Sequence, residues 1–226
     1  MKKVLFTIIA VFVMAAAANA QSIQWHQSYD GNQKFVADFF KSDSNFNVYS
    51  YNEFTITNNQ AVGYGIIYGE YRIAGSHFLG HLETRFRTLS LDTNVFTTST
   101  TPTAMYCPDH NMINAGFAYE LLLGNFCFSL TPMYRYDFGS GHNWQFSINS
   151  SADFDHIYYE GYLDTWGPKT FNLCTEQKFY YKITPMVHVG VNLMLFTVDD
   201  KSRQSMSVRG NGQWNFQPWL VARLAF

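Results

Sequence analysis

The chain has 226 residues and a formal net charge of −2, a balance that favours neither a nucleic-acid polymer nor an anionic membrane surface as partner. Aromatic residues make up 18% of it and charged residues only 14%, whereas an average soluble domain carries about 25% charge. The composition is membrane-like, yet after residue 20 there is no apolar run of about 18 residues to serve as a transmembrane helix.

The first element is a leader. Lys2 and Lys3 precede an apolar run from Leu5 to Ala18, and Ala18-Asn19-Ala20 is a small-x-small cleavage site. Residues 1–20 therefore read as a cleaved secretory signal, with residues 21–226 as a single domain. The run is short against the roughly 20 residues of a spanning helix, which argues against a retained anchor. No cysteine follows the site, so a lipoprotein is not expected.

Twelve segments of alternating polarity follow, separated by turn signals, which is the signature of a transmembrane barrel. They are Ile23–Tyr29, Lys34–Phe40, Asn45–Thr57, Ala61–Ile73, His77–Thr88, Met112–Leu123, Asn125–Asp137, Asn143–Asp153, His156–Leu163, Thr170–Lys182, Met186–Thr197 and Gln213–Phe226. Ten strands result if the first two segments belong to one bent pair. Connections alternate between a tight set (Lys41–Ser44, Ala74–Ser76, Gly124, Phe154–Asp155, Ile183–Pro185) and a set holding both long loops, Leu89–Asn111 and Val198–Gly212. Asp164–Lys169 and Phe138–His142 fall on the long-loop side. This is the inner and outer asymmetry of an up-and-down barrel. The expected fold is an all-β, antiparallel, twelve-stranded transmembrane barrel.

Period two assigns the faces. In HFLGHLETRFR (77–87), Phe78, Leu82 and Phe86 stand on one face and His81, Glu83, Arg85 and Arg87 on the other. Phe126, Phe128, Leu130, Tyr134 and Tyr136 likewise oppose Cys127, Ser129, Thr131, Arg135 and Asp137. A soluble barrel would turn the apolar set inward. Aromatic residues near strand ends and a final strand ending WLVARLAF, with Trp214, Phe216, Leu220, Leu224 and Phe226 on one face, point instead to a lipid-facing apolar set. The C-terminal strand resembles the signal read by the outer-membrane barrel-assembly machinery. Lipid and lipopolysaccharide of a bacterial outer membrane are the expected surroundings.

The opposite faces then line a lumen. Its expected ionisable members are Glu53, Glu70, Arg72, His81, Glu83, Arg85, Arg87, Glu120, Arg135, Asp137, Glu160, Glu176, Lys178 and Arg223. Tyr49, Tyr51, Tyr64, Tyr68, Tyr158 and Tyr162 are expected beside them, able to stack a flat ring. Interspersed charges of both signs suit a constriction that admits a small polar solute. They equally suit a lumen plugged by its own salt bridges, since small barrels fill and large ones conduct. On this reading Arg85→Leu leaves the barrel folded and changes only what passes through it.

Three segments, QWHQSYD (24–30), ADFFKSDSNFNVYSYNEF (37–54) and YGEYRI…GHLETRF (68–86), resemble an uncharacterised outer-membrane family of Bacteroides-type bacteria. That family is similar to the nucleoside-specific channel-forming proteins, which are twelve-stranded barrels. The resemblance implies passive uptake of small solutes, with nucleosides foremost. It transfers no individual contact residue.

Catalysis has one named candidate, His142 beside Ser140 in FGSGH, but Gly-Ser-Gly is also the chemistry of a tight turn and no GxSxG is present. No enzyme activity, cofactor or metal is expected. His77 and His81 would stand about 13 Å apart along a strand, Asp199-Asp200 reads as a solvated turn, and Cys107, Cys127 and Cys174 show no ligand spacing. The expected function is a passive outer-membrane channel; the other readings are a plugged structural or binding barrel and, further off, a lipid-modifying enzyme.

Overall fold

The computed structural model describes residues 21–29, 31–56, 60–73, 76–92, 111–138, 141–167, 171–197 and 214–226, with the side chains of 60–62 and 87–92 outside the description. Residues 1–20, Cys107, Ser140 and Asp199-Asp200 lie outside the described residues.

Twelve antiparallel strands form one closed sheet. They are β1 (Ser22–Ser28), β2 (Gln33–Ser42), β3 (Phe46–Ile56), β4 (Gln60–Arg72), β5 (Phe78–Asp92), β6 (Met112–Leu123), β7 (Phe126–Asp137), β8 (Gly141–Asp153), β9 (Ile157–Trp166), β10 (Asn172–Lys182), β11 (Val187–Thr197) and β12 (Asn215–Ala225). Each strand pairs with its sequence neighbours, and β1 pairs with β12 from Ser22↔Ala225 to Ser28↔Trp219. Closure removes the two sheet edges whose unpaired amides and carbonyls lipid cannot satisfy.

Twelve strands are present rather than ten, because β1 and β2 form separate rungs in register from Ser22↔Asp38 to Gln27↔Gln33. The tight connections are hairpins at the inner end. Between β6 and β7 the turn is Gly124-Asn125, with Gly124 at φ 60°, a conformation that a two-residue hairpin demands and glycine adopts without strain. Several strand ends differ from expectation; β5 runs to Asp92, four residues past Thr88. β9 continues through Asp164 to Trp166, and β8 begins at Gly141, so His142 belongs to a strand and not to an outer loop.

The two faces separate as period two requires. Outward stand Leu82, Phe117, Phe216 and Leu220, each 60–65% exposed. Near the outer ends of β7 and β8, Tyr134, Tyr136, Phe138, His142 and Trp144 gather on this face, with ring centroids 5.3 Å apart for Tyr136–His142 and 5.5 Å for Tyr136–Phe138. At the inner ends Phe78 packs on Tyr119 at 5.1 Å. An apolar belt bounded by rings at both ends suits a hydrocarbon slab with two polar interfaces. No helix among the described residues is long and apolar enough to cross a membrane.

The inward face is the packed one. Gln24, His26, Asn114, Arg135, Gln145, Glu176 and Asn192 are buried there together with Leu79, Met112, Trp166 and Trp219. Gly116 and Gly190 allow this closeness, because a Cβ at either position would strike the backbone of the neighbouring strand, at Pro132 and Met133 or at Phe179 and Tyr180. A charge on the outer belt should be costly. Leu82→Arg should lower barrel stability by about 2–4 kcal/mol, the loss depending on its depth in the bilayer, in reversible urea unfolding from lipid vesicles. An unchanged midpoint would mean that this face does not meet lipid.

Candidate functional site

Parity on the strands carries the expected side chains into the lumen, and the closed sheet decides which of them meet. In the outer half, Arg85 of β5 donates through Nη1 to Asp164 Oδ2 of β9 at 2.6 Å and through Nε to Glu83 at 2.6 Å. Strands β5 and β9 lie four places apart in the ring, so this contact crosses the lumen. Asn114 donates to Glu83 and Ser147 to Asp164, each at 2.5 Å, which holds both carboxylates in place. A second crossing joins Lys34 of β2 to Glu176 of β10 at 2.7 Å, with Glu53 at 3.6 Å from the same ammonium. All these charged side chains are nearly solvent-free, at 3–6% exposure. A buried charge needs this degree of pairing, because its lost hydration costs several kcal/mol per ion.

Apolar inward residues complete the obstruction. Trp166, Cys174, Met194 and Phe196 form a buried cluster with Tyr162 packed against it. Arg135, held by Asp137 at 2.8 Å, lies over the Trp166 ring at 5.1 Å. Among the described residues, the outer half of the lumen is filled.

Below it the lumen opens into a cavity of about 480 Å³, reaching from Gln21, Phe40 and Asn47 at the inner rim to Asp164 and Met194. That volume lies within the roughly 300–1,000 Å³ of small-molecule sites. Its wall carries eight carboxylates (Asp38, Glu53, Glu70, Glu83, Glu120, Glu160, Asp164, Glu176) against three fixed cations, Arg85, Lys178 and Arg223. Lys178 pairs with Glu160 at 2.9 Å, and Gln24 of β1 also reaches Glu160, at 3.2 Å. Arg223 lies over Tyr158 at 4.4 Å. Tyr49 and Tyr68, direct cross-strand partners, stack at 4.9 Å, and Tyr68 continues to the His81 ring at 5.1 Å.

Most of the expected residues line this cavity: Tyr49, Tyr51, Glu53, Tyr64, Tyr68, Glu70, His81, Glu83, Arg85, Glu120, Tyr158, Glu160, Tyr162, Glu176, Lys178 and Arg223. Arg72 sits at the inner rim, paired with Glu120 at 2.5 Å. Arg135 and Asp137 belong to the packed outer half and do not border the cavity. The side chain of Arg87 lies outside the described residues. His77 is not inward; it is exposed in the inner turn ahead of β5.

Several members were not found by reading the sequence. Gly167-Pro168 signals a turn that would take in Asp164, yet the alternation Tyr158, Glu160, Tyr162, Asp164, Trp166 runs on unbroken through β9. Lys34 and Asp38 escaped because β2 carries apolar residues on both faces, Phe35 and Phe39 on one and Val36 and Phe40 on the other, so parity there has no contrast to read. Cys127 borders the cavity and Cys174 is buried; both are free thiols. His142 faces outward and is hydrogen-bonded to the Tyr134 hydroxyl. Its named partner Ser140 lies outside the described residues. Among the described residues no His, Cys, Asp and Glu group has the arrangement of a metal site.

No known protein family matches the chain by sequence, and neither does any curated protein. Solved structures share the fold. The NanC porin aligns with TM-score 0.54 at 6% identity, over 91% of this chain and 98% of that one. The KdgM porin aligns with TM-score 0.53 at 8% identity over 91% and 98%. The same porin in complex with disordered oligogalacturonate gives 0.52 at 9% over 91% and 99%. Identities this low carry the barrel architecture alone, and the nucleoside-channel resemblance gains no sequence support.

The pairing of Arg85 with Glu83 and Asp164 argues against the expectation that its loss alters only permeation. Arg85→Leu strands Glu83 and Asp164 without their cation, so the barrel should lose about 3 kcal/mol in urea unfolding. Arg85→Leu combined with Asp164→Leu should recover part of that loss. Equal stability of the single variant and the parent would show that the crossing carries no energy.

Proposed function

We propose that the chain is an outer-membrane channel for small polar solutes, exported through the signal at 1–20 and assembled through its C-terminal strand. The supporting observation is the charged, tyrosine-lined cavity open toward the inner rim and closed above by two ion pairs that cross the lumen. The apolar cluster of Trp166, Cys174, Met194 and Phe196 shares in that closure, so opening the lumen requires the ion pairs to exchange partners and the cluster to move. The porin-like fold agrees with this reading.

The surplus of carboxylates sets the sign of what passes. Fixed negative charge in a narrow, low-dielectric lumen concentrates cations and repels anions. An oligogalacturonate is a polyanion, so the ligand of the KdgM porin is not carried over to this chain. Neutral flat solutes, nucleosides among them, remain compatible with the half-buried tyrosines of the cavity wall. The filled outer half supports a second reading, a barrel that binds at its inner cavity and does not conduct.

Planar-bilayer recording distinguishes the two. Conduction should appear as small steps whose reversal potential, under a potassium chloride gradient, lies on the cation side. Steps should enlarge in the variant Arg85→Leu combined with Asp164→Leu. Silence of both proteins at every voltage would establish the binding barrel, and anion selectivity would refute the sign argument. Liposome swelling at equal rates with a nucleoside and a sugar of the same size would remove nucleoside preference.

A further inference from the structure

The barrel seats its own lumen cations over aromatic rings: Lys34 over Trp219 at 5.6 Å, Arg135 over Trp166 at 5.1 Å and Arg223 over Tyr158 at 4.4 Å. The Tyr49–Tyr68–His81 ladder is built in the same way, of rings flanked by carboxylates, and among the described residues no lysine or arginine lies over it. Two carboxylates beside it also have no lysine or arginine within ion-pair reach among the described residues. Glu70 accepts from Asn47 at 3.2 Å and meets His81 Nδ1 at 2.9 Å, while Asp38 accepts from Ser22 at 2.7 Å and Gln24 at 3.1 Å. Glu120, the nearest carboxylate at the rim, already has Arg72.

Unpartnered polar atoms point the same way. His81 lies between two carboxylates, its Nδ1 2.9 Å from Glu70 and its Nε2 4.0 Å from Glu83, and among the described residues Nε2 is buried without a hydrogen-bond partner. The Tyr64 hydroxyl, on the same cavity wall, is also buried and without a hydrogen-bond partner among the described residues. Both residues are more than nine-tenths buried. Buried polar atoms are ordinarily satisfied, so these two mark places where a hydrogen-bonding partner belongs. Unpartnered polar atoms, carboxylates without a lysine or arginine partner, and aromatic rings together call for a ligand that is planar, positively charged and rich in donors.

We propose that the inner cavity binds small guanidinium- or amidinium-type organic cations, with the cation against Tyr68 and Tyr49, its N–H groups donated to Glu70, and Asp38 supplying long-range attraction. A guanidinium has five or six N–H donors in one plane and stacks on aromatic faces, a match that a compact ammonium meets only in part. The inference names the solute class for the channel reading, on which its biological sense rests, although the site itself needs no conduction.

Titration calorimetry on the folded barrel in detergent micelles tests it, with propylguanidinium as probe and the isosteric neutral N-propylurea as comparison. Propylguanidinium should bind saturably and at least about tenfold more tightly than N-propylurea. Glu70→Gln should reduce its affinity about tenfold, and Tyr68→Leu, which removes a ring and no charge, should do so to a similar extent. Heat-modifiable migration verifies the fold of each variant, and Tyr68→Leu carries the test if Glu70→Gln does not assemble. Equal affinity for cation and urea, no saturable cation binding, or variants that bind as the parent does would overturn the site. Saturable binding by a barrel silent in bilayers would refute the channel and leave the site standing. Conductance without saturable cation binding would do the reverse.

Discussion

Everything in this molecule depends on the hydrogen-bond ring closing between β1 and β12. A sheet of twelve strands in hydrocarbon has no water to satisfy an edge, so Ser22–Ser28 must find Trp219–Ala225 before any other feature has meaning. Closure also turns a local property into a global one. Once the ring is shut, alternate residues on every strand are committed either to lipid or to the lumen. Phe78 and Leu82 can then stay exposed without penalty, while Glu83 and Arg85 on the same strand need each other.

The lumen inverts the usual division of labour in a protein. In a soluble domain apolar burial packs the interior; here the outside is apolar and the interior is held largely by charge. Buried ion pairs are rarely net stabilising, because desolvation offsets attraction. Their contribution here is of a different kind. Each partner would be far worse alone, so the Arg85–Asp164 and Lys34–Glu176 contacts fix the lumen in one arrangement and make its alternatives costly.

Against that background the inner cavity is conspicuous for what it leaves uncompensated. The outer half balances its acids with Arg85, Lys34 and Arg135, whereas the wall around Tyr49, Tyr68 and Glu70 holds carboxylates and rings with no fixed cation above them. A charge imbalance confined to the solvent-reachable part of a lumen is what separates a surface meant for solutes from one meant for packing.

How much of this was legible follows from the range of each signal. Strand number, the sidedness of the connections, and the inward parity of Glu53, Glu70, Glu83, Arg85, Glu160 and Glu176 were readable, because period two acts between residues two apart. Where contrast vanished, as on β2, or where a turn signal was trusted over continuing alternation, as at Asp164, the reading failed. The buried Trp166, Met194 and Phe196 were invisible because polar-inside is a rule for water-filled lumens and not for packed ones. The sequence by itself therefore determined the barrel and its two faces, through a backbone geometry that repeats along each strand. Which lumen charges meet, which cluster fills the outer half and which carboxylates stay uncompensated were decided only by the tertiary structure. Lys34 and Glu176 are 142 residues apart and Arg85 and Asp164 are 79 apart, and only the curvature and register of the closed sheet bring such partners into contact.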